Sequence, residues 1–270
     1  GKGLNVSTVL NNLKEETMCM GLNFRESGNT LEHAMTARGL QYYFVRSEGA
    51  IRTNIKLFDQ SNHILTEVNE AGPNVSFAAI EKLVDEIDVR LDHTHILVLS
   101  GSVPPGVPLS VIRDILNRLQ GRGVFTAVDA DGALLRHSLE GNPSVVKPNR
   151  DEAAQLLGLE PDRPDFAKEA AIRIQKLGAR SVLLSLGGDG AALLTESGEF
   201  YQLAAPGGII RGTTGAGDSL LAGFLAGRSW GRDWFGAFHL GVAAGSATAF
   251  AGQLAGKQEI LQTEARMKMR

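Results

Sequence analysis

Thr213-Thr214-Gly215-Ala216-Gly217-Asp218-Ser219 runs directly into Leu220-Leu221-Ala222-Gly223-Phe224, a stretch of small and apolar residues that reads as a helix over about 216 to 227. Small residues at a helix start leave several backbone N–H groups exposed and unpaired. Together with the helix dipole they form a site for a phosphate or for the charge of a phosphoryl group in transfer. Asp218 then falls in the first turn, beside that anion. A carboxylate there can take the proton of an attacking hydroxyl while the amides stabilise the phosphoryl group. The same heptad also reads as an Asp that merely opens a helix after a Gly turn.

Working outward, apolar runs alternate with helix-period segments. Leu4 to Leu13 suits a helix, Thr17 to Phe24 a buried strand, and about Gly28 to Arg38 a second helix ended by Gly39. Tyr42 to Val45, Ile51 to Phe58 and Ile64 to Val68 are β-like runs in succession, split by Glu48-Gly49 and Asp59-Gln60-Ser61-Asn62 turns, and are expected to form a small β lid over about 42–70. After Pro73 the expectation is helix 76–90, strand His95 to Leu99, helix 108–120, strand Val124 to Val128, a short strand at Val145-Val146, and helices from about 149 and 164. Ser181 to Leu186, Ala191 to Thr195 and Phe200 to Leu203 read as a meander, followed by the helix at 216 and another over about 234 to 250. This order predicts an α/β fold, a mostly parallel sheet flanked by helices, as one domain over 1–270 with one appendage.

Composition narrows the function. The chain has 270 residues, 43% hydrophobic and 21% charged, enough to bury a large core. Its 27 Lys and Arg against 30 Asp and Glu give a formal net charge of −3, so nothing global draws it to nucleic acid or anionic lipid. No apolar stretch approaches the roughly 18 residues of a membrane helix, and no signal-peptide pattern opens the chain. Cys19, the one cysteine, lies in an apolar run and predicts a buried thiol in a reducing, cytoplasmic setting. The first residue, Gly1, already lies inside a motif, so the natural chain is expected to extend upstream.

Three further motifs bear chemistry. Lys147-Pro148-Asn149-Arg150-Asp151-Glu152 follows an apolar strand. Asn149 and Glu152 fit a capping box, and also fit the holding of a hydrated Mg²⁺ near phosphates at the carboxyl end of a strand. Ser185-Leu186-Gly187-Gly188-Asp189-Gly190-Ala191 is a hairpin turn or a phosphate cradle, and is neither a Walker A loop nor a dinucleotide fingerprint. Gly1-Lys2-Gly3-Leu4-Asn5-Val6, with Arg52 and Lys56 in the lid, suits an anionic small molecule, although cations on an exposed strand are commonplace. His93 and His95 lack a third ligand at a metal spacing, and Gly101-Ser102-Val103-Pro104-Pro105-Gly106 lacks the pattern of a nucleophile elbow.

Taken together and in this order, these pieces and Thr66-Glu67-Val68-Asn69 with Gly72-Pro73 resemble the PfkB/ribokinase family of sugar kinases over essentially the whole chain. Within it the likeness is strongest to the 1-phosphofructokinase branch, with tagatose-6-phosphate kinases close behind. The resemblance implies a ribokinase-like fold and transfer of the γ-phosphoryl of ATP, with Mg²⁺, to the 6-hydroxyl of fructose 1-phosphate. It implies Asp218 as base, the amides of Gly215, Ala216 and Gly217 as anion hole, and Asn149 and Glu152 around Mg²⁺. Lys147, Asn149, Ser185, Gly187, Gly190, Gly217 and Ser246 would face ATP, with the small residues from Gly241 to Ala247 as the adenine wall. Gly1, Asn5, Arg52 and Ser102 would face the phosphosugar, with Lys2 and Lys56 weaker assignments to its phosphate. Family members open with a core strand and lid strands that this sequence lacks, and that opening usually supplies an Asp to grip the sugar. The chain as it starts here is therefore expected to be destabilised. A tagatose-6-phosphate kinase, a 6-phosphofructokinase and a non-catalytic binder of sugar phosphate or nucleotide are the alternatives. The lid's apolar Phe44, Ile51, Ile55 and Leu57 would close on the site or on another lid, giving a homodimer.

Overall fold

Short apolar runs such as Ile96-Leu97-Val98-Leu99 and Val182-Leu183-Leu184, bounded by polar residues and separated by helix-period segments, are built as the buried strands of an α/β chain. The structure, a computed structural model, describes residues 1–59, 64–91 and 95–268. Residues 60–62 of the expected lid turn, His93, and the side chain of Lys56 lie outside what is described.

In chain order the elements are α1 (Lys2–Leu13), β1 (Met18–Phe24), α2 (Gly28–Ala37), β2 (Gln41–Ser47), β3 (Asn54–Asp59), β4 (Ile64–Asn69) and α3 (Phe77–Arg90). There follow β5 (Ile96–Ser100), α4 (Val111–Arg118), β6 (Phe125–Asp129), α5 (Gly132–Leu139), β7 (Val145–Val146), α6 (Arg150–Leu157) and α7 (Phe166–Lys176). The last are β8 (Val182–Ser185), β9 (Ala191–Leu194), β10 (Phe200–Leu203), α8 (Ala216–Ser229), α9 (Trp234–Ala251) and α10 (Lys257–Lys268).

The chain divides into two compact units. The first comprises Gly1–Thr17, His93–Ser102 and Leu109–Arg270. Its six-stranded sheet has the order β10-β9-β8-β7-β6-β5. Strands β5 to β8 run parallel, and β9 and β10 continue antiparallel. The mostly parallel sheet flanked by helices is therefore as the sequence predicts. Ala127, Val145, Leu183, Ala191 and Leu193 pack with Val6, Val9 and Leu13 of α1 and with the apolar faces of α8 and α9 in one core cluster. The alternate residues Val182, Leu184, Ala192 and Leu194 are buried too, and α7 packs on β8 and β9. Two helices had no counterpart in the sequence reading, α5 and α10.

The second unit comprises Met18–Asp92 and Val103–Pro108. Here the pairing departs from a lid of three successive strands. β2 pairs in parallel with β1, Met18 opposite Gln41 through Phe24 opposite Ser47, with α3 against both. Only β3 and β4 form a hairpin of their own, antiparallel from Asn54 opposite Asn69. Phe44 accordingly stacks on Tyr42 within β2, ring centroids 5.3 Å apart, and is not a hairpin residue. The parallel pair is possible because α2 supplies the crossover between β1 and β2 that parallel strands need. Cys19 is buried in β1.

Candidate active site

The carboxyl ends of β6 and β7 and the N-termini of α1, α6 and α8 bring one set of polar side chains together in the first unit. Gly215 begins α8 with φ 82°, a left-handed conformation that suits glycine, and offers no side-chain cap. The Ala216 N–H donates to Thr213 O (3.1 Å) and the Ser219 N–H to Gly215 O (2.9 Å). Of the three amides implied as an anion hole, that of Ala216 is thus engaged within the turn. The donors that the helix geometry leaves over at this end are those of Gly215, Gly217 and Asp218.

Asp218 is 7% exposed, and its Oδ2 accepts a 2.7 Å hydrogen bond from Asn5 Nδ2 at the first turn of α1. Burial holds its carboxyl above the ordinary carboxylate value, and the charge of Asp129 adds to this. The Asn5 hydrogen bond, Lys147 and Lys2 oppose it. Gly1 is the N-cap of α1, its carbonyl accepting from the Leu4 and Asn5 amides. Its chain neighbour Lys2 reaches Asp129 Oδ1 at 3.2 Å and lies 3.8 Å from Glu152 Oε1. Burial disfavours the Lys2 charge, but Asp129 and Glu152 outweigh it and hold the ammonium above its usual value.

Lys147, at the end of β7, is almost fully buried, and its Nζ is 3.3 Å from the same Asp129 Oδ1. That Nζ also lies 3.4 Å from where a Cβ on Gly217 would stand, so the ammonium sits against the α8 N-terminus. Asp129 is the residue that the sequence reading missed. Its only sequence signal is a carboxylate that ends an apolar run, at the strand end where an α/β sheet binds ligands.

Asn149 and Glu152 form a full capping box at the start of α6, with Asn149 Oδ1 accepting from the Glu152 N–H and Glu152 Oε2 from the Asn149 N–H, both at 2.8 Å. Glu152 Oε1 stays outside the box, on the Lys2 side. Burial pushes the Glu152 carboxyl up, against the Asn149 amide and the two lysines. Among the described residues no group of three or more His, Cys, Asp or Glu is placed to hold a metal. A Mg²⁺ that arrives on phosphates and keeps most of its water shell fits Glu152 Oε1, whereas an all-protein cage does not.

Ser185 ends β8 beside Asn149, with its amide on Pro148 O (3.0 Å), and Gly187–Asp189 forms a 3-10 turn into β9. The stretch is therefore a hairpin turn. It is tied to α6 through the Arg150 to Asp189 ion pair. At Gly190, φ is 93° and a Cβ would stand 2.0 Å from Leu203 O, so only glycine fits. Ser246 is 9% exposed in α9. The small residues around it have a packing reason: a Cβ on Gly241 would meet Leu220 O at 2.8 Å, and one on Gly245 would meet Ala216 O at 3.0 Å. Ser102 follows β5 in the first unit, while Arg52 belongs to the second, its side chain running along Gly72. No helix among the described residues is long and apolar enough to cross a membrane.

A helix start with free amides and a buried carboxylate in its first turn, with two lysines at hand, has the components of phosphoryl transfer to a hydroxyl. Comparison with known proteins gives the same answer. A family model described as pfkB family carbohydrate kinase matches residues 1–259. The 1-phosphofructokinase of Bacillus subtilis is 31% identical over 262 residues, 97% of this chain and 84% of that protein. The tagatose-6-phosphate kinase of Staphylococcus epidermidis is 28% identical over 230 residues, 84% of this chain and 73% of that protein. In solved structures, phosphofructokinase-2 of Escherichia coli in complex with fructose-6-phosphate matches with a TM-score of 0.88 and 25% identity, covering 99% of this chain and 87% of that one.

Proposed function

The chain belongs to the pfkB family of carbohydrate kinases, enzymes that use ATP to phosphorylate a sugar hydroxyl, and from this premise we propose that its acceptor is fructose 1-phosphate and that Asp218 is the general base. One observation supports this above the others. Asp218 is buried in the first turn of α8, held by Asn5, beside amides and a lysine that suit a phosphoryl group. Asp218 accepts the proton of the acceptor hydroxyl as its oxygen attacks, and the Gly215, Gly217 and Asp218 amides with Lys147 stabilise the transferring group. Gly215 supplies the left-handed turn that exposes those amides.

Lys2, with Gly1, Asn5 and Ser102, faces the phosphosugar. Lys147, Asn149, Ser185, Gly187, Gly190, Gly217 and Ser246 face ATP, and Asn149 orients Glu152 toward the metal. When bound, Mg²⁺ neutralises phosphate charge. Two copies meet through the β3–β4 hairpin, and the buried Cys19 suits a reducing cytoplasm.

The test is ADP release with ATP and Mg²⁺ across fructose 1-phosphate, tagatose 6-phosphate, fructose 6-phosphate and ribose, with Asp218→Asn in parallel. Turnover is expected to be fastest on fructose 1-phosphate, and the variant to lose about a hundredfold or more in kcat while still binding ATP. A faster alternative sugar would displace the substrate assignment, and an unimpaired variant the base.

A further inference from the structure

Asp129 has an unusual position for a charge. It is 0% exposed at the end of β6, with Oδ1 shared between Lys2 Nζ at 3.2 Å and Lys147 Nζ at 3.3 Å. Its Oδ2 is buried and has no hydrogen-bond partner among the described residues. A carboxylate left half-satisfied in a protein interior is costly to the fold, so some other gain must retain it.

The two lysines come from different places. Lys2 is the first residue of α1, one turn before the Asn5 that holds Asp218. Lys147 directly follows β7, and its ammonium sits against the start of α8 at Gly217. Two ammonium groups that close repel each other and, without a counter-charge, would swing apart on their flexible stems. A single oxygen between them removes that repulsion and fixes both nitrogens.

We infer that Asp129 is a positioning residue: by sharing one carboxylate oxygen between Lys2 and Lys147 it holds both ammonium groups in place, so that the acceptor and nucleotide halves of the site are ordered by the same side chain. This rests on the reading above, in which Lys2 serves the phosphosugar and Lys147 the nucleotide. The carboxylate need not touch either substrate. Its influence passes through the lysines, and loss of it weakens both substrates together.

Asp129→Asn keeps the shape and removes the charge. Calorimetric titration with a non-hydrolysable ATP analogue, and with whichever phosphosugar the wild type turns over fastest, gives both affinities without requiring turnover in the variant. The expected result is a rise of about tenfold in both dissociation constants, while Lys2→Met weakens the phosphosugar alone and Lys147→Met weakens the ATP analogue alone. Adding either lysine change to Asp129→Asn then costs much less than it does in the wild type. Weakening of one substrate only, additive effects, or a defect that excess Mg²⁺ restores would each overturn the inference, the last by making Asp129 a metal-side residue.

Should Asp129→Asn not fold, the pair Lys2→Met and Lys147→Met decides. Held by one oxygen, their effects on kcat/KM depart from the product of the singles, and a simple product rejects the bridge. The wild type and Asp218→Asn in the same assay report on the kinase reading separately, so its failure is not confused with failure of the bridge.

Discussion

The hydrogen bond from Asn5 Nδ2 to Asp218 Oδ2 stabilises the ionised form of a carboxyl whose burial favours the neutral one. In the proposed role of general base Asp218 must be ionised to act, and its raised value then predicts an acid limb of the pH profile above the ordinary carboxylate range. Asn5→Ala removes a stabilising partner of the charged form and raises Asp218 further. The acid limb of kcat/KM should therefore move to higher pH, with the largest loss of activity on the acid side and recovery as pH rises. An unmoved limb, or one moved to lower pH, would count against Asp218 as the titrating base. At this scale the sequence was informative where residues sit in a pattern. Gly215 to Asp218 announce a helix start, and Asn149 with Glu152 announce a cap. Asp129 was not legible, because a lone carboxylate after Phe125-Thr126-Ala127-Val128 has no spacing rule. Its meaning comes from Lys2 and Lys147, distant in sequence and adjacent only in the fold.

Between α8 and α9 the glycines explain the close approach of two helices. A Cβ on Gly223 would stand 2.7 Å from Ala244 Cβ and 2.8 Å from Leu240 O, and one on Gly241 would stand 2.8 Å from Leu220 O. These neighbours are backbone or short side chains that cannot swing aside. Gly241→Ala should therefore destabilise the protein by up to about 2 kcal/mol in denaturant melts, an overpacking cost of about 1–3 kcal/mol less the roughly 1 kcal/mol that Ala gains over Gly in a helix. A variant as stable as the wild type would mean that the helices can move apart freely. The strongly apolar α8 and α9 were legible as buried helices. By contrast α10 was not, since its buried positions include Thr263 and Glu264 as well as Ile260, and Glu264 pairs with Arg232, so no apolar stripe shows in the sequence. Nor was the parallel pairing of β1 with β2, because β2 is followed by two more short β-like runs with no helix between them and reads as the first strand of their group.

Across the whole molecule, the six-stranded order β10-β9-β8-β7-β6-β5 makes a site of segments far apart in sequence, with Asp129 and Lys147 at neighbouring strand ends. Pattern alone predicted an α/β sheet, and the ligand end of that sheet follows from its parallel strands. The hairpin of the second unit raises a different question, that of assembly. Ile55 and Val68 lie directly opposite each other and are 49% and 52% exposed, with Leu57, two residues along the strand from Ile55, 57% exposed. A two-stranded hairpin is marginal by itself, and one with apolar residues in water is a surface for association. A two-fold axis would let two hairpins cover one another with the same residues. Sedimentation should then give twice the chain mass at micromolar concentration, and Leu57→Lys should shift the protein to the monomer by placing a charge in the contact. A wild type that sediments as a monomer would rule out the hairpin dimer, and a Leu57→Lys protein that remains dimeric would place the contact on another surface.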